Sequence, residues 1–158
     1  MRDAAFDEIA ERVPAGDEIG LRKTSAYLNW RYVGAPGRTY RILRAEGRGR
    51  LRGAAVLRLN PAPGGRAWLV DLICDSRDVE AVAALVSASV RELRRRRAGD
   101  VKTFTSSTRV RRVLARHGFV ATSETPQFTY RVESEALRPL LDGVVWNFWW
   151  GDGDSELL

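Results

Sequence analysis

One acidic residue lies in the middle of an apolar stretch and is a candidate catalytic base. Asp71 interrupts the run Ala-Trp-Leu-Val-Asp-Leu-Ile-Cys at residues 67–74. Burial among apolar side chains raises the pKa of a carboxyl group toward neutrality, where the carboxylate can accept a proton from a substrate amine. The pattern predicts Asp71 as a candidate general base. It equally permits a structural carboxylate that is paired with a buried arginine.

A second group of residues combines an arginine with aromatic and amide side chains. Asn29, Trp30, Arg31 and Tyr32 follow one another in the chain. A guanidinium beside aromatic faces can hold a carboxylate, a phosphate or a sugar by bidentate hydrogen bonds and stacking. These four residues are therefore a candidate substrate-binding wall. In the alternative, which we favour, Trp30 and Tyr32 are core anchors and Arg31 is a structural bridge.

The chain has one cysteine, Cys74, and one histidine, His117, which limits thiol and metal chemistry. An intrachain disulfide and a Cys/His zinc cage are both excluded. A nucleophilic Cys74–His117 pair would require a contact that nothing in the sequence indicates. Asp152 and Asp154 have a spacing found in carboxylates that hold divalent cations. A polar C-terminal turn is the favoured interpretation of that pair, and we predict no metal.

The length and composition are those of one globular domain. The chain has 158 residues, of which 44% are hydrophobic and 29% are charged, and a domain typically has about 100–200 residues. We therefore predict a single domain over residues 1–158. The net charge of +6 favours a polyanionic partner. All but two of the 26 basic residues are arginine, however, and a biased genomic base composition also produces such a preference for arginine. Nucleic acid is a disfavoured partner.

The sequence contains no sign of export or of a membrane span. The N-terminus is acidic and amphipathic, unlike a signal peptide. The longest apolar stretches, residues 81–90 and 144–150, are shorter than the roughly 20 residues that a membrane span needs. We predict a cytoplasmic protein that does not bind membranes.

Hydrophobic periodicity and turn residues predict the elements that position the candidate residues. Helices are predicted at 3–13, 26–32, 77–97, from the cap Ser107 to the stop Gly118, and at 136–141; strands are predicted at 39–46, 50–59, 67–74, 101–105, 119–122, 127–132 and 144–150. Either Thr24 or Ser25 is predicted to cap the second helix, and either Asp75 or Ser76 is predicted to cap the long helix. The fold class is α/β of the α+β type, with helices that flank a mixed, mostly antiparallel sheet. Residues 133–158 form a C-terminal extension.

This order of elements resembles the GNAT superfamily of N-acetyltransferases. The local features that carry the resemblance are Tyr-Leu-Asn-Trp-Arg-Tyr at 27–32, His-Gly-Phe at 117–119 and Trp-Trp-Gly-Asp-Gly-Asp at 149–154. The chain is similar, over about residues 3–154, to the second half of two-half GNAT-like proteins that are associated with polysaccharide biosynthesis.

The resemblance implies transfer of an acetyl or longer acyl group from acyl-CoA to an amine of a small molecule or sugar. Acetyl-CoA would lie where the strand at 67–74 splays from its neighbour. The strand amides near Ile73 and Cys74 and the side chain of Arg77 would hold it. Asp71 would be the general base, and Tyr130 would be an alternative general acid. A second GNAT-like half or another copy of the chain is the implied partner.

Two positions depart from the pattern of the superfamily. The glycine-rich turn that would bind the pyrophosphate falls on residues 75–81, where Arg77 matches, the glycines are absent and three carboxylates lie where the diphosphate would sit. Glycine is needed there because backbone amides must approach the phosphates closely. The usual proton-donating tyrosine falls on Leu114. These departures support an alternative function, a noncatalytic GNAT-like module that binds a ligand or completes a partner.

Overall fold

The computed structural model describes residues 4–13, 18–60, 62, 64–123, 133–141 and 143–153. In chain order the elements are α1 (Ala4–Arg12), β1 (Glu18–Gly20), α2 (Ser25–Leu28), a π-helical turn (Asn29–Val33), β2 (Tyr40–Gly47), β3 (Arg50–Arg58), β4 (Ala67–Cys74), α3 (Val79–Arg95), β5 (Val101–Thr103), α4 (Thr108–Arg116), a 3-10 turn (Glu135–Leu137), α5 (Arg138–Leu141), β6 (Val145–Asn147) and a second 3-10 turn (Trp150–Asp152).

The described strands form a mixed sheet and a separate parallel pair. The sheet has the order β2-β3-β4-β5, in which β5 alone is parallel to its neighbour, and β1 pairs with β6. This arrangement confirms the predicted α+β class with a mostly antiparallel sheet.

The central strands β3 and β4 are covered on both faces, which the nearly continuous apolar sequence of β4 favours. On one face, the core cluster includes Leu57 and Leu69 of the sheet together with Val86 of α3. On the other face, Val70 packs in a cluster with Phe6 of α1. Burial on both sides explains why β3 and β4 lack the alternation of a half-exposed strand.

Several local predictions are confirmed. Thr24 caps α2 by accepting a hydrogen bond from the Tyr27 amide at 3.2 Å. Ser107 occupies the N-cap of α4, and the chain leaves that helix through Gly118 at a φ of 88°. A positive φ favours glycine because it has no Cβ.

Other predictions are wrong. Residues 119–122 are not a strand, and the strand predicted at 144–150 is only Val145–Asn147. The long helix begins after Asp78, whose side chain caps it, and therefore neither Asp75 nor Ser76 is its N-cap. The strand predicted at 127–132 lies outside the described residues. Within the described ranges, no helix is both long and apolar enough to cross a membrane.

Candidate functional site

A β-bulge in β4 sets the direction of the candidate base. Val56 of β3 pairs with Asp71, but the next residue, Leu57, pairs with Leu69, so Val70 is the extra residue of β4. A bulge re-aims the neighbouring side chain and is over-represented beside active sites. The irregular part of β4 therefore lies directly beside Asp71, the residue that the sequence predicts as a candidate base.

β4 and β5 separate after three residue pairs. Residues 67–69 pair with Val101–Thr103, whereas β4 continues to Cys74. Residues 70–74 consequently have no β5 residue beside them. A gap opens between the two strands, and it is the gap in which the resemblance places acyl-CoA.

Residues 147–153, which we name the C-terminal strap, fill this gap. Trp149 forms an antiparallel bridge with Thr105. The Ser106 amide donates to the Phe148 carbonyl at 3.1 Å, and the Phe148 amide donates to Ser106 Oγ at 2.8 Å. Trp149 is buried in the core beside α3. A small cavity of about 10 Å³ lies beside the strap and is also lined by Ala10 of α1, by Lys23 and by Leu72 of β4; it has roughly the space of one water molecule.

A buried ion cluster joins β4 to the strap and to the segment after β1. Lys23 Nζ lies 2.6 Å from Asp71 Oδ1 and 2.7 Å from Asp152 Oδ1. The Tyr32 hydroxyl donates to Asp71 Oδ2 at 2.8 Å, and the Leu72 amide donates to Asp71 Oδ1 at 2.8 Å. Asp71 is 0% exposed. Both of its oxygens therefore have protein partners and no contact with solvent.

Of the two interpretations of Asp71, the geometry favours the structural one. The carboxylate is buried and paired, but its partner is a lysine rather than the expected arginine. A general base needs an oxygen within hydrogen-bond reach of its substrate, and Lys23 holds that place. Sequence reasoning missed Lys23. Its only local signal is that it is one of two lysines in a chain otherwise rich in arginine.

The charges of the cluster shift the pKa values of its members. Burial disfavours the charged form of Lys23, but the attraction of Asp71 and Asp152 outweighs that effect and raises the pKa of the ammonium. Burial raises the pKa of the Asp152 carboxyl, and repulsion from Asp71 adds to the rise, while Lys23 opposes it. A single cation thus lies between two carboxylates, one of which ionises reluctantly.

Arg31 and Tyr32 tie the π-helical turn to the strap. Arg31 donates from Nε to the Gly151 carbonyl at 3.2 Å and from Nη2 to the Gly153 carbonyl at 2.8 Å. Tyr32 is 3% exposed. These two residues follow the structural alternative, a bridge and a core anchor. The polar groups of both side chains form hydrogen bonds within the chain.

Asn29 and Trp30 lie on the outer part of the same turn. Asn29 ends α2, and its backbone N–H bonds to the carbonyls of Ser25 and Ala26. Trp30 is 71% exposed and makes a tilted ring contact with Tyr27 at 5.8 Å. The prediction of Trp30 as a core anchor is wrong, because the π-helical turn directs Tyr32 inward and leaves Trp30 outside. Such turns occur frequently at functional sites.

The turn that would face a pyrophosphate is closed by its own carboxylates. Asp75 Oδ1 accepts the Arg77 amide at 2.9 Å, and Asp75 Oδ2 pairs with the Arg77 guanidinium at 3.1 Å. Asp78 Oδ1 accepts the Ala81 amide at 3.1 Å and pairs with Arg52 at 2.6 Å. Amides that could hold an anion at a helix N-terminus already have carboxylate partners.

Ile73 and Cys74, the predicted cofactor-binding residues of β4, are core residues. They are 1% and 2% exposed. Burial, with repulsion from Asp78 and Asp75, raises the pKa of the Cys74 thiol to about 12. The thiol is therefore protonated at neutral pH, and a nucleophilic role has no support in its surroundings.

We expect native Cys74 to react with iodoacetamide at least about a hundredfold more slowly than the same residue in denaturant, because the thiolate is the reactive form. Mass spectrometry of a time course at neutral pH measures both rates. The chain has one cysteine, so the denatured protein is its own control. Equal rates would contradict the burial of this thiol.

Two sequence candidates, Tyr130 and Asp154, lie outside the described residues. Asp152, the other half of the possible metal pair, binds Lys23 instead. Within the described part of the chain, no three His, Cys, Asp or Glu side chains are grouped so that they could hold a metal ion.

A larger cavity of about 620 Å³ lies between β5 and α4. Among the described residues it is lined by the end of α3, by residues 101–105, by α4, by residues 117–122 and by Trp150 of the strap. Within the described ranges, none of the predicted catalytic, cofactor-binding or substrate-binding residues lines it, whereas His117 does.

No family model, curated protein or solved structure matches this chain.

Proposed function

We propose that this chain is a noncatalytic GNAT-like module that completes a protein partner. The observation that carries the proposal is the C-terminal strap. It lies across the gap between β4 and β5, because Trp149 bridges to Thr105, which follows β5, and Gly151 lies against Asp71 of β4. A pantetheine arm cannot enter a gap that the chain already fills.

The closed phosphate turn supports the same conclusion. Asp75, Asp78 and Glu80 place three carboxylates at the start of α3 against the cations Arg52 and Arg77. A diphosphate brought to this position would meet a net negative charge and would have to displace carboxylates from the amides. Electrostatic repulsion therefore disfavours acyl-CoA binding at the phosphate position that the superfamily uses.

An apolar surface on the β1–β6 pair supports a role in protein binding. Ile19 and Leu21 are 36% and 38% exposed, and Ile19 pairs with Trp146. The Trp146 ring stacks on Phe148 with centroids 5.6 Å apart. A two-stranded sheet is marginal in water, and clustered exposed apolar side chains commonly mark an interface. The resemblance to one half of two-half proteins supports a second GNAT-like domain as the partner.

We expect acetyl-CoA, coenzyme A and a longer acyl-CoA to leave the thermal midpoint within the change caused by ATP, the control for nonspecific anion binding. Ligand at 100 times its dissociation constant would add about 2.7 kcal/mol, which corresponds to roughly 5–10 °C for a domain of this size. Differential scanning fluorimetry measures the shift. A shift of that size with CoA compounds alone would overturn the proposal and restore acyl transfer as the leading function.

A further inference from the structure

The ammonium group of Lys23 lies in a closed site that is built by other parts of the chain. Its side chain is 6% exposed and begins between β1 and α2. The site consists of a carboxylate of β4, Asp71, and a carboxylate of the strap, Asp152, whose side chain is 3% exposed. The three charged groups come from three separate segments.

Both carboxylates are held in place by bonds that do not involve Lys23. Asp71 accepts the Tyr32 hydroxyl at 2.8 Å and the Leu72 amide at 2.8 Å. Asp152 Oδ2 accepts the Trp149 amide at 2.9 Å. A site whose groups are already oriented loses little entropy when a cation enters. The anionic receptor is therefore preorganised independently of the lysine.

The walls of the site suit a primary ammonium on a short apolar chain. Leu72, Ile73 and Trp149 line the small cavity beside the Lys23 side chain. A compact ammonium can point its hydrogens at two separate carboxylates, whereas a planar guanidinium needs a wider opening and a bidentate partner. We therefore expect the site to discriminate between cations by size as well as by charge.

We propose that this is a primary-amine-binding site and that Lys23 is its built-in occupant. The chain supplies its own amine at the carboxylate that the sequence predicted as a general base. An external amine is consequently excluded from the native protein. The inference concerns amine recognition alone and does not depend on whether the domain binds acyl-CoA.

The test is chemical rescue of Lys23→Ala by n-propylammonium, which replaces the three methylenes and the nitrogen that the substitution removes. We expect n-propylammonium chloride to raise the thermal midpoint of this variant by about 3 °C or more over sodium chloride of equal ionic strength. Guanidinium and tetramethylammonium should not produce this rise. Wild type and Lys23→Met, in which the side chain fills the site, should show no specific response.

Equal responses of Lys23→Ala to n-propylammonium and to sodium would overturn the proposal. If Lys23→Ala does not fold alone, the double variant Lys23→Ala/Asp152→Asn removes one of the two repelling charges and receives the same titration. The readout is amine-specific, so its failure is distinct from a failure of the acyl-CoA experiment.

A measurement on the wild-type chain tests occupancy directly. Lys23 and Lys102 are the two lysines, and Lys23 is buried while Lys102 is half-buried. Acetic anhydride labelling followed by peptide mass spectrometry should modify Lys102 at least about tenfold faster than Lys23, because a charged, enclosed amine is a poor nucleophile. Lys23 labelling as fast as Lys102 would show that the amine is not held in the site.

Discussion

Lys23→Met is expected to lower the free energy of unfolding by about 3–5 kcal/mol at neutral pH, the cost of breaking a buried ion pair by removing one partner. The substitution keeps most of the side-chain volume but leaves Asp71 and Asp152 near each other without a cation. Wild-type Lys23 Nζ is within 2.7 Å of both carboxylates. Urea denaturation followed by circular dichroism measures the change.

The matched control is Lys102→Met, which removes a lysine from β5 and is expected to cost less than about 1 kcal/mol. Equal losses in the two variants would contradict a special role for the Lys23 cluster. Replacement of all three charged residues by apolar ones should recover part of the loss, because burying ions costs desolvation energy that an apolar set avoids.

The dependence on pH separates the ion cluster from simple packing. The raised pKa of Lys23 means that its stabilising effect is complete below the ordinary lysine pKa of about 10.4 and disappears as the pH rises through the higher native value. Wild type should therefore lose stability above about pH 10.4, and Lys23→Met should lack this step. The raised pKa of Asp152 acts at the acidic end, where protonation favours the native state. Lys23 opposes this rise in the wild type, so Lys23→Met should gain more stability from protonation of Asp152 than wild type does, and its deficit should shrink in acid.

Gly151→Ala is expected to lower the free energy of unfolding by about 2–4 kcal/mol, because an added methyl overpacks the site and displaces a buried hydroxyl. A Cβ at Gly151 would lie 2.0 Å from the Tyr32 hydroxyl oxygen and 3.1 Å from Asp71 Oδ2. Either the strap or the tyrosine must move. Both movements loosen the contact that closes the gap beside β4.

Tyr32→Phe provides the decisive partner variant for this prediction. It removes the oxygen that the new methyl would meet, and the nearest ring atom is then Tyr32 Cζ at 3.3 Å. The double variant should be more stable than the sum of the single effects predicts, with a coupling of about 1 kcal/mol or more. Gly34→Ala, where a Cβ would approach the Asn29 carbonyl only to 3.4 Å, serves as the control. Additive effects of the two substitutions would place the cost of Gly151→Ala elsewhere.

Local patterns in the sequence determined most of the sheet and its helices. β2, β3 and β4 fall within about a residue of their predicted ranges, because apolar runs between turn residues specify a strand without reference to distant parts of the chain. The caps Thr24 and Ser107 and the stop at Gly118 were equally visible. Each depends on backbone groups within four residues of the side chain.

The sequence also identified Asp71 as exceptional but not what it would bind. A carboxylate in an apolar strand must be either functional or paired, since burying an isolated charge is costly. Its partner, Lys23, is 48 residues away, and no periodicity links the two positions.

Tertiary structure alone decided the state of the site. The strap contacts β4 from the far end of the chain, and its course depends on Trp149, the Asp152–Lys23 ion pair and the carbonyls that Arg31 holds. Whether the gap between β4 and β5 is open or filled is a matter of packing between distant segments. Hydrophobic residues that repeat every 2 residues in a strand or every 3.6 residues in a helix specify which face of that element is buried. They do not specify which distant residues cover that face.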